Sequence, residues 1–135
     1  MTEVLRADAT LRPTAMAPRD ARKALRSLAQ HVRTDVFEDL CLLVSELVTN
    51  SYLHADLPPD AGIVVRAELA DDIAHVEVSD RGAGFVSVLR RQPRSERGAG
   101  WGLALLDRLS SRWGIRRDDE TSVWFEIDNA NRPTY

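Results

Sequence analysis

Glu46 and Asn50 stand four residues apart near the end of an apolar-patterned segment, and Asp80 is followed at two-residue steps by Gly82 and Gly84. A second glycine group, Gly98, Gly100 and Gly102, comes some fifteen residues later. Each of these residue types suits part of one task. An Asn carbonyl oxygen can hold a hard cation, and Mg²⁺ commonly bridges protein oxygens to nucleotide phosphates while keeping several waters. A carboxylate at a strand end can accept a hydrogen bond from an exocyclic amine such as adenine's. Glycines let a ligand approach the main chain closely, and a helix N-terminus offers unpaired N–H groups that suit phosphate. Taken singly, each piece is ambiguous; an Asp-x-Gly-x-Gly run alone is most often a turn. Taken together and in this order, they describe a pocket for ATP and Mg²⁺. The chain has no Gly-x-x-x-x-Gly-Lys-Ser/Thr run, which excludes a P-loop.

These residues need elements to position them. Val36, Leu40, Leu43, Val44, Leu47 and Val48 recur at three- and four-residue steps, which predicts a helix from about residue 36 to 54 with Thr34 or Asp35 as N-cap and Glu38 as a box-like partner. At about 100° per residue, Glu46 and Asn50 fall at the edge of its apolar arc and not opposite it. Ahead of it, Pro18 suits a first helical turn, and Ala21, Leu25, Leu28 and Val32 continue a helix to about Arg33. Residues 3 to 12 alternate weakly and predict an edge strand.

After Gly62 the period changes to two. Residues 63–69 and 73–80 read as an antiparallel hairpin turned by Asp71 and Asp72. Ala74, Val76 and Val78 share a face, and Asp80 has the same parity, so a carboxylate ends the buried row. A third helix is expected from about Gly100 to Arg112, stopped by Gly114, followed by strands at 115–118 and 122–128 around an Asp119-Glu120 turn. Cys41, Trp113 and Phe125 are expected in the core; Trp124 has the opposite parity to Phe125. The order predicts an α+β two-layer sandwich, with three helices on one face of a mixed, largely antiparallel sheet.

Composition narrows the function classes. A chain of 135 residues that is 44% hydrophobic and 29% charged is expected to form a single domain, residues 1–135, with a proper core. No apolar run approaches the ~20 residues that span a bilayer, and the start lacks a signal-peptide pattern, so a cytoplasmic protein with no membrane partner is expected. A net charge of −3 argues against direct nucleic-acid binding, which needs a dense basic face. One cysteine forms no internal disulfide.

The runs Glu46-Leu-Val-Thr-Asn50-Ser-Tyr-Leu-His54-Ala, Asp80-Arg-Gly-Ala-Gly84-Phe and Gly98-Ala-Gly-Trp-Gly102-Leu resemble the N, G1 and G2 boxes of the GHKL superfamily. With no dimerisation helices, receiver or sensor alongside them, the chain is most similar to the stand-alone anti-sigma-factor serine kinases of actinobacterial type. The resemblance spans about residues 18–128 and implies the Bergerat ATP-binding fold. It implies that Asn50 holds Mg²⁺ and that Asp80 binds the adenine amine over a floor shaped by Gly82 and Gly84. It also implies that Gly98, Gly100, Gly102 and Leu103 frame the nucleotide, that residues 85–100 form the ATP lid, and that Thr121 lies beside the adenine. Glu46 would be the general base for a serine on an anti-anti-sigma partner, and a sigma factor would be the second partner; many members form homodimers. Two positions depart from the usual pattern: Glu120 stands where glycine is common, with no lysine after it, and Trp101 replaces a smaller residue. The second reading is a docking module that regulates a partner by binding alone, with or without nucleotide.

Overall fold

In the computed structural model, residues 3–54, 57, 60–81 and 101–130 are described, with the backbone alone at 54 and 101–103. The elements run β1 (Leu5–Leu11), α1 (Ala17–Ala24), a 3₁₀ segment (Leu25–His31), α2 (Thr34–His54), β2 (Ile63–Ala70), β3 (Ile73–Asp80), α3 (Trp101–Leu109), β4 (Arg112–Arg117) and β5 (Thr121–Asp128). The strands form one five-stranded sheet in the order β1-β2-β3-β5-β4. All four pairings are antiparallel, so the expected α+β sandwich is built on an antiparallel sheet with β1 at one edge.

Alternation along the strands decides which face is covered. In β2, Ile63, Val65, Ala67 and Leu69 are buried; in β3, Ala74, Val76 and Val78; in β5, Val123, Phe125 and Ile127. These residues meet one another in register, for example Val65 with Val78 and Val78 with Val123. Leu40, Leu43, Val44 and Leu47 of α2 lie in the same core, as do Leu25 and Leu28. Each fully buried Val or Leu contributes on the order of 1.5–3 kcal/mol relative to exposure, so this two-sided layer is what holds α2 against the sheet.

The first helix departs from the continuous α-helix expected to Arg33. After Ala24 the chain tightens into the 3₁₀ segment, and Val32 is extended at φ −126° and ψ 160°. In a 3₁₀ helix residues three apart eclipse, and Leu25 and Leu28 are both buried; the tightening stacks them over the core. The capping position of α2 also differs. Phe37 N–H donates to the Arg33 carbonyl at 2.9 Å, so the cap is Arg33, and Thr34 and Asp35 lie inside the first turn. Asp35 there places a carboxylate at the positive end of the helix dipole.

The third helix is shorter than expected. It ends at Leu109, Ser110 turns both its N–H and its hydroxyl to the Leu106 carbonyl, and Ser111 N–H donates to the Glu126 carbonyl at 2.7 Å. Serine hydroxyls that bond the local backbone compete with helix continuation. Gly114 therefore lies inside β4, opposite Trp124 of β5. A Cβ at Gly114 would stand 2.8 Å from two atoms of the Trp124 ring; the glycine makes room for the indole to lie across the strand.

Two residues expected in the core are only half-buried. Trp113 keeps its ring against the core while its Nε1–H donates to Asp107 Oδ1 at 2.9 Å, satisfying the indole's polar edge. Cys41 falls beside the inward arc of α2, where burial pushes its thiol pKa up and the Arg22 and Arg26 charges oppose that shift. Phe125 is fully buried as expected. Trp124 occupies the outer sheet face, stacked on His75 with ring centroids 5.6 Å apart and planes 19° from parallel.

Candidate active site

The site begins where α2 crosses the end of β3. On the apolar arc of α2, Asn50 is 2% exposed and Ser51 is 4% exposed, so two polar side chains are turned inward beside Leu47 and Val48. The strand supplies the third: Asp80 closes the buried row of β3 and is 4% exposed. Ser51 Oγ donates to Asp80 Oδ2 at 2.7 Å. The hydroxyl fixes the direction of the carboxylate and ties the helix to the strand end.

Asp80 pairs across the sheet with Thr121, the first residue of β5. The structure thus brings together Asn50, Asp80 and Thr121, three of the residues the sequence singles out, and adds Ser51, which sequence reasoning missed. A signal for Ser51 existed: it is a hydroxyl at an inward angle of α2, and a buried hydroxyl needs a partner. Glu46, one turn before Asn50, is half-buried at the edge of the arc. Gly102 and Leu103 fall in the first turn of α3, which packs on α2. Gly82, Gly84, Gly98, Gly100 and the lid segment 85–100 lie outside the described residues.

Glu120, in the place of the usual glycine, takes no left-handed backbone; among the described non-glycine residues that conformation occurs at Asp71 and Asp72, the tight turn of the β2–β3 hairpin. The β4–β5 turn closes through Asp118 N–H to the Glu120 carbonyl at 3.1 Å and needs no glycine there.

Asn50 carries the most telling geometry. Its Nδ2 is buried and has no hydrogen-bond partner among the described residues. Leaving a buried donor unpaired costs about 1–3 kcal/mol, and an apolar side chain at the same place would avoid that cost. The amide offers one oxygen to a cation and two N–H bonds to phosphate or water, a donor set that fits a metal–phosphate ligand. Among the described residues no group of three His, Cys, Asp or Glu side chains could hold a metal ion. A single amide oxygen suits a cation whose other ligands are water and phosphate.

The sequence matches the histidine kinase-like ATPase domain family over residues 10–127, and the chain belongs to that family. Its fold is the GHKL fold that the sequence motifs imply, and an ATP-binding domain is what the family provides. Among solved structures, the RsbU and RsbW domains of Rv1364c from Mycobacterium tuberculosis are similar at 27% identity and a TM-score of 0.71, over 92% of this chain and 32% of that one. The blue-light activated histidine kinase EL346 of Erythrobacter litoralis shares the fold at 22% identity and a TM-score of 0.56, over 73% of this chain and 32% of that one. The chain therefore corresponds to about a third of each of these proteins. A search of curated protein sequences returned no match. Among the described residues no helix is long and apolar enough to cross a membrane.

Proposed function

We propose that the chain is an ATP-dependent protein serine kinase of the anti-sigma type, which phosphorylates a serine on an anti-anti-sigma partner and sequesters a sigma factor in the cytoplasm. The observation that carries the reading is the buried Asn50 Nδ2, which has no hydrogen-bond partner among the described residues, set one turn from Glu46 and next to the Ser51–Asp80 pair. In this reading Asp80 accepts from the adenine amine, with Thr121 beside it, and Ser51 holds the carboxylate in place. Gly82 and Gly84 form the adenine floor, and Gly98, Gly100, Gly102 and Leu103 frame the phosphates under a lid of residues 85–100. Mg²⁺ on the Asn50 oxygen would neutralise phosphate charge when bound.

Glu46 acts as the base. Its carboxylate takes the proton of the serine hydroxyl while the hydroxyl oxygen forms a bond to the γ-phosphorus; the bond from that phosphorus to the bridging oxygen breaks, and ADP leaves. The match to the RsbU and RsbW domains of Rv1364c supports a regulatory kinase of this kind. The test is incubation of the purified protein with Mg·ATP and each anti-anti-sigma-type protein of the same genome. Phosphoserine on one of them is expected; phosphoserine on none removes the kinase reading, and Mg²⁺-dependent nucleotide binding without it leaves a docking regulator.

A further inference from the structure

The polar and charged side chains buried among the described residues all gather at one end of the sheet: Asn50, Ser51, Ser79, Asp80 and Ser122. The site accounts for Asn50, Ser51 and Asp80. Ser79 and Ser122 belong to no part of it, because by parity they stand on the other face of the sheet, with His75, Glu77 and Trp124. On that outer face they are nevertheless only 1% and 7% exposed.

The two serines face each other directly in the β3–β5 ladder, and their hydroxyl oxygens lie 2.8 Å apart, one donating to the other. The next pair in that ladder, Asp80 with Thr121, is its last. Each serine is therefore the chain neighbour of a residue assigned to adenine, on the opposite side of the same strand. Arg116, opposite Ser122 on β4, donates from Nη2 to Glu77 Oε2 on β3, so an ion pair spans β5 on this face beside the hydroxyls. At the end of a ladder the strands are held from one side only and are free to splay. A hydroxyl–hydroxyl bond there fixes a distance and a direction, whereas apolar contact is non-directional. Two apolar groups of the same shape would be about as stable, so stability alone does not call for hydroxyls at this place.

We infer that Ser79 and Ser122 are positioning residues for base recognition: their bond clamps the last pair of β3 and β5 from behind and holds the Asp80 carboxylate and Thr121 at the separation that adenine requires. The inference rests on the reading of Asp80 and Thr121 as the adenine contacts. It goes beyond that reading in giving control of base preference to two side chains on the far face of the sheet. Ser51 fixes the direction of the carboxylate from α2; the serine pair fixes the strand end that carries it. A binding group must be held within about 0.5 Å of its productive place to work, and a splayed strand end does not hold it so.

The experiment is calorimetric titration with ATP and with purine riboside triphosphate, which lacks the exocyclic amine. It compares wild type, Ser79→Ala, Ser122→Ala and the double variant, with urea unfolding of each. Wild type is expected to prefer ATP by at least about 10-fold, the worth of a hydrogen bond to a charged acceptor. Loss of either hydroxyl breaks the clamp, so all three variants are expected to bind ATP about 10-fold more weakly and the amine-free nucleotide as wild type does. Stability follows a different pattern. Each single variant leaves a buried hydroxyl unpaired and lowers the urea midpoint, whereas the double variant removes both hydroxyls and returns toward wild type. A double variant that regains its midpoint without regaining the preference for ATP separates positioning from stability. Any one folded variant decides: if it keeps the wild-type preference, the serines only fill space, and the inference is overturned while the adenine reading stands. If no variant folds, the pair is structural and the inference is likewise overturned. If wild type itself shows no preference, Asp80 and Thr121 do not recognise the amine, and the reading and the inference fall together.

Discussion

Ser51 and Asp80 join helix and sheet through one buried hydrogen bond, with the hydroxyl of α2 donating to the carboxylate at the end of β3 over 2.7 Å. A bond to a charged acceptor in a buried setting is worth about 1.5–3 kcal/mol. Asp80→Asn turns one acceptor into a donor facing another donor, so ATP affinity should fall by at least about 100-fold, the upper end of that range. Ser51→Ala should lower stability by about 1–2 kcal/mol and weaken ATP less than Asp80→Asn does. Fluorescent-nucleotide titration and thermal unfolding of both variants check this; retained ATP affinity in Asp80→Asn shows that adenine is recognised elsewhere.

Asn50→Leu separates function from stability. Because the buried Nδ2 has no hydrogen-bond partner among the described residues, an apolar side chain of similar volume should leave the fold as stable or raise it by about 1 kcal/mol. The Mg²⁺ dependence of nucleotide binding should vanish at the same time. Denaturant unfolding together with titration in the presence and absence of Mg²⁺ measures both. A destabilised variant with normal Mg²⁺ dependence would make Asn50 a structural amide.

Glu46→Ala should spare nucleotide binding and slow phosphoryl transfer by about 10²–10⁴-fold, the range for a positioned base. A base acts in the transition state, so kcat and kcat/KM should fall together. Equal loss of ATP affinity would show that the carboxylate holds the helix end and not the reaction.

Glu126 on the outer sheet face sets an acid dependence of stability. The Arg112 Nε–H donates to its Oε1 at 2.8 Å and His75 Nδ1 lies 2.9 Å from its Oε2. The Arg112 hydrogen bond, and then His75, hold the Glu126 carboxyl below its ordinary 4.5 against a smaller opposing push from burial. A folded-state value below the unfolded one stabilises at pH above the unfolded value, and that stability is lost as pH falls through the folded value. Wild type should therefore lose stability below about pH 4.5, and Glu126→Gln should remove roughly 0.5 kcal/mol of that decline, since the pair is partly solvated. Urea unfolding from neutral to acid pH checks it; identical slopes for the two proteins would place the acid dependence elsewhere.

Much of this arrangement is written in periodicity. The three-four spacing of Val36 to Val48 and the alternation of Ile63 to Asp80 each specify an element and its buried face, because burying that face is what holds the element in place. The parity of Asp80 likewise predicts a carboxylate at the end of a buried row. Ser51 was not legible in the same way: nothing local says that its hydroxyl will meet a strand end twenty-nine residues away. The 3₁₀ turn at Leu25, the early end of α3 and the place of Gly114 within β4 also depend on partners from other elements. Gly114 reads as a helix stop until Trp124 lies across it.

Asn129, just past β5, has a bearing on the order of assembly. Its Oδ1 accepts the Arg33 N–H at 2.9 Å, its Nδ2 donates to the His31 carbonyl at 3.4 Å, and its own N–H donates to the Asp72 carbonyl at 2.7 Å. These bonds clasp the start of α2 and the β2–β3 turn to a residue 96 positions from Arg33 in the chain. Contacts so distant in sequence carry the loop-closure cost of nearly the whole chain. The clasp is therefore expected to close late in folding, and it fastens the end of α2 remote from the site to the strand that enters the sheet through Thr121, opposite Asp80.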